Sequence, residues 1–545
     1  MKLRLVVKIA VIVSVVSLCT GFAVYSFLRL NAVENSREFN LYSLVPQDAV
    51  AVLETHKMAE LVKDVNELTC SKNNHYLYVS ELFVYLKNHL QTLVDDTPHG
   101  LSKQMNKMLI SFHEPDNPMN QVLYCSLGSG DYELLEAFVG KYSSKSFPYK
   151  LFEYKGEDIR IYPMKNGTFL AVYITSDFLA VSFQKQLLER VIDARRKKKS
   201  LMQLPSFAAM HSGVRSNVAT TIYIRMRDVD MGKHSDTICS QARVGSWAEF
   251  DMQFKEDAIY CSGISHGIDT TDTFINALRK QQAVEGFPGD WLPATTFFYN
   301  RWALSDRVSM LGFTARQEYA HRHYSDYVKQ RDEEWLSFLN DYASESVMSC
   351  LFHSPDTTQH LPCAVLNIPM HDAVAAERYL RKLVYSTPKE EGFPQLPSLL
   401  KYYRLYPQAW GYKPYVLPRN TLLTQLTGIT ESALYTYAIF FRGHLLLAPD
   451  YVSLLAYIHT LQNNELLDGK FMYEEGISSL SPMYNYVMMG DMEALLTQPD
   501  SYVRLVPNFF FRHAKFFRHF MLGIQFTCTE GVVYPNIVLL YKENQ

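Results

Sequence analysis

Glycine is scarce in this chain of 545 residues, and neither sign of charge is in excess. There are 24 glycines against 36 tyrosines and 32 phenylalanines, and 53 lysines and arginines nearly balance 56 aspartates and glutamates. The near-neutral charge argues against nucleic acid as a partner, because nucleic-acid-binding proteins usually carry a basic excess. With 48% apolar and 20% charged residues, the composition excludes a disordered, collagen-like or coiled-coil chain and predicts sheet-rich globular packing.

Cysteines at metal-site spacing are also missing. None of the eight cysteines forms a C-x-x-C motif, so the sequence predicts no zinc site. Seven lie beyond residue 30, and an odd number cannot all pair internally. Cys239 with Cys261, and Cys350 with Cys363, are close enough in sequence to form disulfides. Buried free thiols are the alternative.

Several enzyme motifs are absent, among them the P-loop, H-E-x-x-H, G-x-S-x-G and a full G-x-G-x-x-G. Ser182 and Lys185 fit the S-x-x-K motif of penicillin-recognising enzymes, but the S-D-N and K-T-G companions are missing. Ser182 is better explained as the cap of the helix that follows it. The sequence therefore predicts a non-enzymatic protein with no catalytic residues, no cofactor and no metal.

One long apolar run lies near the N-terminus. Residues 9–28 carry no charge and follow a start that contains Lys2, Arg4 and Lys8. A helix of this length spans about 30 Å, the thickness of a bilayer's hydrocarbon core. The cationic start predicts a cytoplasmic N-terminus, and therefore one crossing with the rest of the chain outside the cytoplasm. We interpret residues 1–30 as a signal anchor and 31–43 as a spacer; a cleaved signal peptide and a lipoprotein lipidated at Cys19 are the alternatives.

The remaining chain reads as two similar halves. Residues 169–192 align without gaps onto residues 435–458, and each segment predicts a strand, a polar turn, a second strand and a helix. Leu44-Val45-Pro46 and Trp291-Leu292-Pro293 each lead into a strand-like segment. We interpret the pattern as an internal duplication, with a first half at 44–285 and a second half at 286–545. Accidental similarity of short segments is the alternative.

The arrangement of strands favours the α+β fold class. Strands come as adjacent pairs joined by short turns, which predicts two halves of antiparallel or mixed sheets with covering helices. We expect the helices to cover one face of the sheet and to leave the other face to a partner.

The order of an apolar anchor, a short spacer and the segment LVPQDAVAVLETH at Leu44–His56 resembles a family of bacterial envelope proteins. That family is catalogued only as a domain of unknown function, and the Tyr- and Phe-rich chain is similar to its members from the Bacteroidota. The resemblance implies a bacterial inner-membrane protein with the bulk of its chain in the periplasm. It brings no catalytic residues.

Two aromatic stretches are candidate binding surfaces. Aromatic faces bind sugars and lipids, and residues 402–415 supply a set of such rings: Tyr402, Tyr403, Tyr406, Trp410, Tyr412 and Tyr415. Residues 508–522 have aromatic and basic residues at helical spacing, which predicts a membrane or partner helix: Phe509, Arg512, Phe516, Phe517 and Arg518. Packing of each stretch against its own domain is the alternative.

Three functional hypotheses follow. The leading one is a membrane-anchored scaffold or interaction module with envelope proteins as partners. The second is an anchored binding protein that holds a hydrophobic or glycan ligand in a cleft between the halves. The third is an envelope hydrolase, which a serine, a histidine and an acid within hydrogen-bond reach in a pocket would favour.

Overall fold

The structure is a computed structural model of the chain. It describes residues 39–73, 107–113, 119–128, 149–163, 168–211, 219–226, 246–266, 274–311, 326–355, 362–386, 404–412, 414–417, 422–425, 436–498 and 506–542. The predicted anchor at residues 9–28 lies outside these ranges. Within them, no helix has both the length and the apolar character that a membrane span requires.

The described strands form a mixed α+β fold around one large sheet of 19 strands, in which every observed pairing is antiparallel. The strands of the first half are β1 (Ala51–Thr55), β2 (Met108–Phe112), β3 (Gln121–Ser126), β4 (Lys150–Tyr154), β5 (Glu157–Pro163), β6 (Phe169–Ile174), β7 (Phe178–Ser182), β8 (Thr220–Arg225), β9 (Trp247–Lys255), β10 (Ala258–His266) and the short β11 (Val284–Glu285). Those of the second half are β12 (Thr296–Ala303), β13 (Ser346–Phe352), β14 (Cys363–Pro369), β15 (Tyr415–Val416), β16 (Tyr437–Phe441), β17 (His444–Ala448), β18 (Met483–Tyr484), β19 (Tyr486–Asp491), β20 (Phe520–Thr529) and β21 (Val532–Tyr541).

The helices connect these strands. In the first half they are α1 (Met58–Glu67), α2 (Thr69–Lys72), α3 (Lys185–Lys197), α4 (Pro205–His211) and α5 (Phe274–Arg279). In the second half they are α6 (Asp326–Tyr342), α7 (Ala373–Ser386), α8 (Leu422–Gln425), α9 (Tyr451–Gln462), α10 (Phe471–Ser478), α11 (Met492–Thr497), α12 (Asn508–Arg512) and α13 (Ala514–Phe517).

The strand order is the same in the two halves. From the centre of the sheet outward, the first half runs β10-β9-β8-β1-β2-β3-β7-β6-β5-β4. The second half runs β21-β20-β19-β12-β13-β14-β17-β16-β15. The last strands of the halves, β10 and β21, pair at the centre, where Ser262 faces Asn536. The predicted boundary near residue 285 therefore does not separate two sheets.

The segments that lead into β1 and β12 are held in the same way. Pro46 forms an antiparallel bridge with Ser200, just after α3. Pro293 forms the corresponding bridge with Leu466, just after α9. These bridges link the two motifs that the sequence pairs, Leu44-Val45-Pro46 and Trp291-Leu292-Pro293, to the ends of the two aligned helices. The two halves therefore share both a strand order and a bridge at the start of the sheet.

Helices lie on both faces of the sheet, so the expectation that they cover one face is wrong. On one face of the second half, α9 and α10 pack in a core that includes Leu454, Ile458 and Tyr473. On the other face, α6, α7 and α11–α13 pack in a second core that includes Trp335 and Phe517. Each fully buried apolar side chain of this size contributes about 1.5–3 kcal/mol.

The sequence signals at the element ends explain these boundaries. Asp450 begins α9, because its carboxylate accepts a hydrogen bond from the Ser453 backbone N–H at 2.8 Å. Asp491 does the same for α11 by accepting from the Glu493 N–H at 2.9 Å. Leu445-Leu446-Leu447 forms an unbroken apolar run in β17 because both faces of that strand are buried.

Candidate functional site

A cavity of about 210 Å³ lies within the second half, where β12 begins and β19 ends. We call it the hydroxyl cavity. Its lining comes from β12, β19, β20 and the segment that leads into α10: Ala294, Thr296, Phe297, Phe298, Tyr299, Leu467, Lys470, Met472, Tyr473, Met489, Gly490, Asp491 and Met521. It is half-open to solvent rather than enclosed.

A β-bulge at the start of β12 shapes one wall. Thr296 pairs with Phe352 and Phe298 with Leu351, so Phe297 is an extra residue in the strand. In a regular strand, successive side chains point to opposite faces. Here Phe297 and Phe298 both join the core on the α6 side, and Tyr299 joins the core on the α9 side.

Three hydroxyl-bearing side chains line the cavity: Thr296, Tyr299 and Tyr473. Tyr299 is 1% exposed and Tyr473 is 2% exposed, and their two hydroxyls interact by a hydrogen bond. Among the described residues, Thr296 Oγ1 makes no hydrogen bond to another protein group. Leaving a buried hydroxyl without a partner costs about 1–3 kcal/mol.

The two tyrosines are close to each other and strongly desolvated. Their ring centroids are 6.1 Å apart. Burial raises the pKa of Tyr299 well above its ordinary value, and the neighbouring Tyr473 raises it further. Burial also raises the pKa of Tyr473, although the Tyr299 hydroxyl opposes that change. Both side chains are therefore neutral phenols that can donate or accept a hydrogen bond.

Charged groups lie at the rim. Lys470 is exposed and lines the cavity, and it forms no ion pair within the described part of the chain. Asp491 also lines the cavity and accepts a hydrogen bond from Lys542 Nζ at 2.6 Å. The carboxylate of Asp491 is thus already engaged by Lys542 and by the start of α11.

The first half fills the corresponding space with rings. Val52 of β1 pairs with Tyr223 of β8, and at the corresponding position of the second half Tyr299 of β12 pairs with Met489 of β19. In the same way, Arg225 of β8 pairs with Trp247 of β9, and Asp491 of β19 pairs with Met521 of β20. Phe207 lies seven residues after the bridged Ser200, and Tyr473 lies seven residues after the bridged Leu466, so the two rings occupy corresponding positions.

These rings contact one another. The Phe207 centroid is 5.1 Å from Trp247 and 5.6 Å from Tyr223. The Tyr42 centroid also lies 5.6 Å from that of Phe207. Tyr42 lies four residues before Pro46, and Gly289 lies four residues before Pro293, so Gly289 occupies the position of Tyr42 in the second half. At the positions of Tyr42, Tyr223 and Trp247 the second half has Gly289, Met489 and Met521. Because these residues carry no ring, they leave room for the cavity.

Gly289 is needed for this geometry. A Cβ atom on Gly289 would lie 2.8 Å from Tyr473 Cε1 and 3.0 Å from its hydroxyl. Real Cβ atoms essentially never come so close, so a side chain here would displace Tyr473. The sequence analysis missed this site, and the signal that could have found it is the pairing of Tyr42 with Gly289 across the two halves.

The aromatic residues predicted at 402–415 do not form one surface. Tyr402 and Tyr403 lie outside the described residues. Tyr406 and Tyr415 are buried, with their hydroxyls 3.0 Å from Ser354 Oγ and 2.5 Å from Glu377 Oε1 respectively. Tyr412 is half-buried and Trp410 is 64% exposed. The described part of this segment packs mainly over its own half, and the hydroxyl cavity does not lie between the halves.

The sequence predicts one helix at residues 508–522, and this is wrong. The structure has the short helices α12 and α13 followed by β20. Phe520 begins β20 because it pairs there with Tyr541. Phe516 and Phe517 are buried in the core, and Phe509 is partly buried. Arg512 and Arg518 are exposed, and Arg518 forms an ion pair with Glu493 at 3.1 Å.

A serine, a histidine and an acid do meet in the first half. Ser111 Oγ lies 2.9 Å from His113 Nε2, and His113 Nδ1 lies 3.4 Å from Asp48 Oδ1. Burial alone would raise the pKa of Asp48, but His113 and the nearby Arg190 lower it to about 2.

This network does not present a nucleophile. Ser111 is fully buried, and its Oγ also lies 3.1 Å from the hydroxyl of the buried Tyr124. A catalytic serine must reach its substrate, and the described cavity lies in the other half. We interpret these residues as a buried polar network that ties residue 48 to β2 and β3.

Cys350 and Cys363 are both buried and both free, so the disulfide between them is not formed. Cys261 is also free, and Cys239 lies outside the described residues. Burial raises the pKa of Cys363 to about 12 and that of Cys261 to the same value. These thiols behave as small apolar side chains.

Comparisons with known proteins give little. No protein-family model and no curated protein matches the chain. One solved structure, crystal form I of TP0453, is similar over 43% of this chain and 82% of its own, with 13% identity and a TM-score of 0.24. A similarity at this level carries no argument about function.

Proposed function

We propose that the protein binds a small molecule in the hydroxyl cavity. The observation that supports this proposal is the cavity itself, which is lined mainly by apolar and aromatic side chains and also by Thr296, Tyr299 and Tyr473. Ligand sites are concave, mostly apolar, and carry a few polar groups that fix orientation. The proposal moves the ligand from a cleft between the halves to a site within the second half.

The location in the cell is a proposal from the sequence. The uncharged run at residues 9–28 and the preceding Lys2, Arg4 and Lys8 favour a single-pass bacterial inner-membrane protein with its bulk in the periplasm. Protease added to spheroplasts would degrade the bulk of such a protein. Full protection until the membrane is lysed would contradict the proposal.

The binding proposal is tested on full-length protein purified from native membranes. Native mass spectrometry would compare the wild type with Met521→Trp, which introduces the residue of the first half and fills the cavity. We expect a small molecule that is released on denaturation and is reduced at least tenfold in the variant. If water alone occupies the cavity, the two proteins will give the same spectrum and bind the same compounds of a metabolite library, and the proposal is then wrong.

A second function, as an interaction module, is favoured by the outer edge of the first half. β4 pairs with β5 on one side, and no other strand in the described ranges pairs with it. Leu151 in β4 is 59% exposed, and Tyr149, which directly precedes the strand, is 48% exposed. An exposed apolar edge strand is a template for pairing with another chain. The opposite edge, β15, has only two residues.

The charge around β4 indicates the kind of partner. Residues 149–163 and 185–199 contain ten basic and five acidic side chains, and Lys185 Nζ lies 3.6 Å from the Phe152 ring centroid. We therefore propose an extended, acidic segment of an envelope protein as the added strand.

Crosslinking pull-down of full-length protein from native membranes tests this second function. The variant Tyr149→Lys/Leu151→Lys would lose the partner, while Val374→Lys would keep it. Val374 is 71% exposed and lies on α7 in the other half, so it is a matched control for loss of surface apolarity. Equal recovery from all three proteins would contradict the proposal.

A further inference from the structure

Five consecutive basic residues, Arg195–Lys199, form the last turn of α3 and the two positions after it. We call them the basic end of α3. Glu157 and Asp193 neutralise part of this charge through ion pairs with its first three residues, at distances between 3.1 and 3.7 Å. Lys198 and Lys199 are exposed, and neither ammonium group forms an ion pair within the described part of the chain. The basic end therefore presents uncompensated positive charge to solvent.

The fold does not require this charge. Counted back from the bridged residues Ser200 and Leu466, Lys198 corresponds to Asn464 of the second half. Both residues have a left-handed backbone, with a φ of 50° at Lys198 and 59° at Asn464. Asparagine adopts this conformation more readily than lysine does. Residues 461–465, which correspond to the basic end, are Leu-Gln-Asn-Asn-Glu and include no basic residue. The same helix end thus forms without lysine or arginine, so the charge in the first half has another reason.

The basic end lies where the chain enters the fold. Phe39 is the first described residue, and its ring stacks on Phe178 with the centroids 5.0 Å apart. The Arg195 guanidinium lies 5.1 Å from the centroid of the same Phe178 ring. Further along the chain, Pro46 bridges to Ser200, the residue directly after the basic end. The segment that follows the proposed anchor is therefore held beside the basic end at two points.

The connection to the proposed anchor is short. Ten residues, 29–38, separate the apolar run at residues 9–28 from Phe39. Even fully extended, they could not span more than about 40 Å. Such a tether gives the basic end a high effective concentration at the bilayer surface. A surface that carries anionic lipids attracts lysine and arginine side chains that come within a Debye length of it. Because the tether has already brought the surface close, a few free charges are enough for docking.

We propose that the basic end of α3 docks on the anionic phospholipid headgroups of the membrane that holds the anchor. Lys198 and Lys199 supply the free charge, and docking turns this end of the first half towards the bilayer. This inference rests on the proposed membrane anchor. It concerns neither the hydroxyl cavity nor the edge of β4.

Lysine acetylation tests the docking on full-length protein in nanodiscs. One set of nanodiscs contains phosphatidylcholine alone, and the other contains phosphatidylcholine and phosphatidylglycerol in equal parts. A water-soluble reagent acetylates exposed lysines, and mass spectrometry compares the rate at Lys199 with that at Lys382, an exposed lysine on α7. We expect Lys199 to react at least about threefold more slowly in the anionic nanodiscs, and Lys382 to react equally in both. In about 1 M salt, which shortens the Debye length to about 3 Å, the difference at Lys199 should disappear.

Two variants with the same loss of charge show whether the basic end is responsible. Lys197→Asn/Lys198→Asn introduces the residues that the second half has at these positions, so the helix end should still form. It should abolish the protection of Lys199. Lys63→Asn/Lys280→Asn removes two exposed lysines from other elements and should leave the protection unchanged.

The outcomes separate this inference from the proposed anchor. Equal acetylation of Lys199 in the two kinds of nanodisc would overturn the docking and leave the anchor in place. Protection that survives in Lys197→Asn/Lys198→Asn would overturn it too, because another surface would then face the lipid. Poly-glutamate added to phosphatidylcholine nanodiscs stands in for an acidic protein segment. If it protects Lys199 and phosphatidylglycerol does not, the basic end binds protein instead of lipid. Release of the full-length protein from native membranes by alkaline carbonate would contradict the anchor itself, and the docking with it.

Discussion

Val52 and Tyr299 occupy the same register in the two halves, but their surroundings differ. Val52 lies in a core that also contains Tyr42, Phe207 and Trp247. Tyr299 lies beside a cavity because Gly289, Tyr473 and Met521 stand at the corresponding positions. The two halves share a strand order, so the backbone does not decide which of them has a cavity. A few side chains do.

Buried polar atoms without a hydrogen-bond partner occur in both halves. Among the described residues they include Ser126 Oγ and His211 Nε2 in the first half and Thr296 Oγ1 in the second. Hydrogen bonding therefore does not distinguish the halves. The packing does, because rings close the core of the first half where the second half has a cavity.

The largest expected effect comes from opening the first half. Trp247→Met introduces the residue of the second half into the ring cluster and leaves a void next to Phe207. We expect the free energy of unfolding to fall by about 2–3 kcal/mol, somewhat less than for a tryptophan-to-alanine change. Hydrogen exchange of the β8 and β9 amides would measure this loss. The reverse change, Met521→Trp, should cost less than about 1 kcal/mol, and equal losses from the two variants would break the comparison.

A smaller effect is expected from closing the second half at Gly289. In Gly289→Ala the new Cβ would lie 2.8 Å from Tyr473 Cε1, so the ring must move. We expect a loss of about 1–2 kcal/mol, as for other overpacked cores. The matched control is Gly523→Ala, whose Cβ would meet its nearest neighbour at 3.6 Å. A thermal midpoint that falls equally in both variants would show that Gly289 is not specially required.

Much of the fold could be predicted from the sequence. The segments 169–192 and 435–458 are strand, turn, strand and helix in the structure, as predicted, and β17 and α9 begin where the alignment places β7 and α3. These elements are set by local signals, namely apolar spacing and turn residues, which a single sequence contains.

The candidate site could not be predicted, because its residues are distant in sequence. Thr296, Tyr473 and Met521 meet only through the pairing of β12, β19 and β20. Helical spacing at 508–522 was misleading for a related reason, since the pairing of Phe520 with Tyr541 overrides the local pattern. Local pattern also could not show that Tyr406 and Tyr415 are buried.

Removing single hydroxyls should have different effects in the two halves. Thr296→Val deletes a hydroxyl that has no protein partner among the described residues, so we expect unchanged or slightly higher stability. Tyr124→Phe deletes a hydroxyl that contacts Ser111 Oγ at 3.1 Å, and we expect a loss of about 1 kcal/mol. Urea denaturation of the full-length protein in detergent would compare them. A similar loss from both would mean that Thr296 has a partner within the protein.

The smallest effect is a pH dependence confined to the second half. His444 begins β17 and stacks on Trp291 with the ring centroids 3.7 Å apart, whereas the corresponding residue that begins β7 is Phe178. Burial and, to a smaller extent, the nearby Arg301 lower the pKa of His444 from 6.5 to about 4. The unfolded chain therefore binds a proton more readily than the folded one. The stability is complete above pH 6.5 and falls as the pH approaches 4.

His444→Phe should remove this dependence, because it introduces the residue of the first half. The urea midpoint would be measured by tryptophan fluorescence. The signal of the variant is subtracted from that of the wild type, so that the difference reports mainly on Trp291, which stacks on His444. Since His444 is only partly buried, solvent reduces the effect, and we expect a modest shift of the midpoint between pH 7 and pH 4. A wild type and a variant that lose stability in parallel over this range would show that other groups, present in both halves, set the acid response.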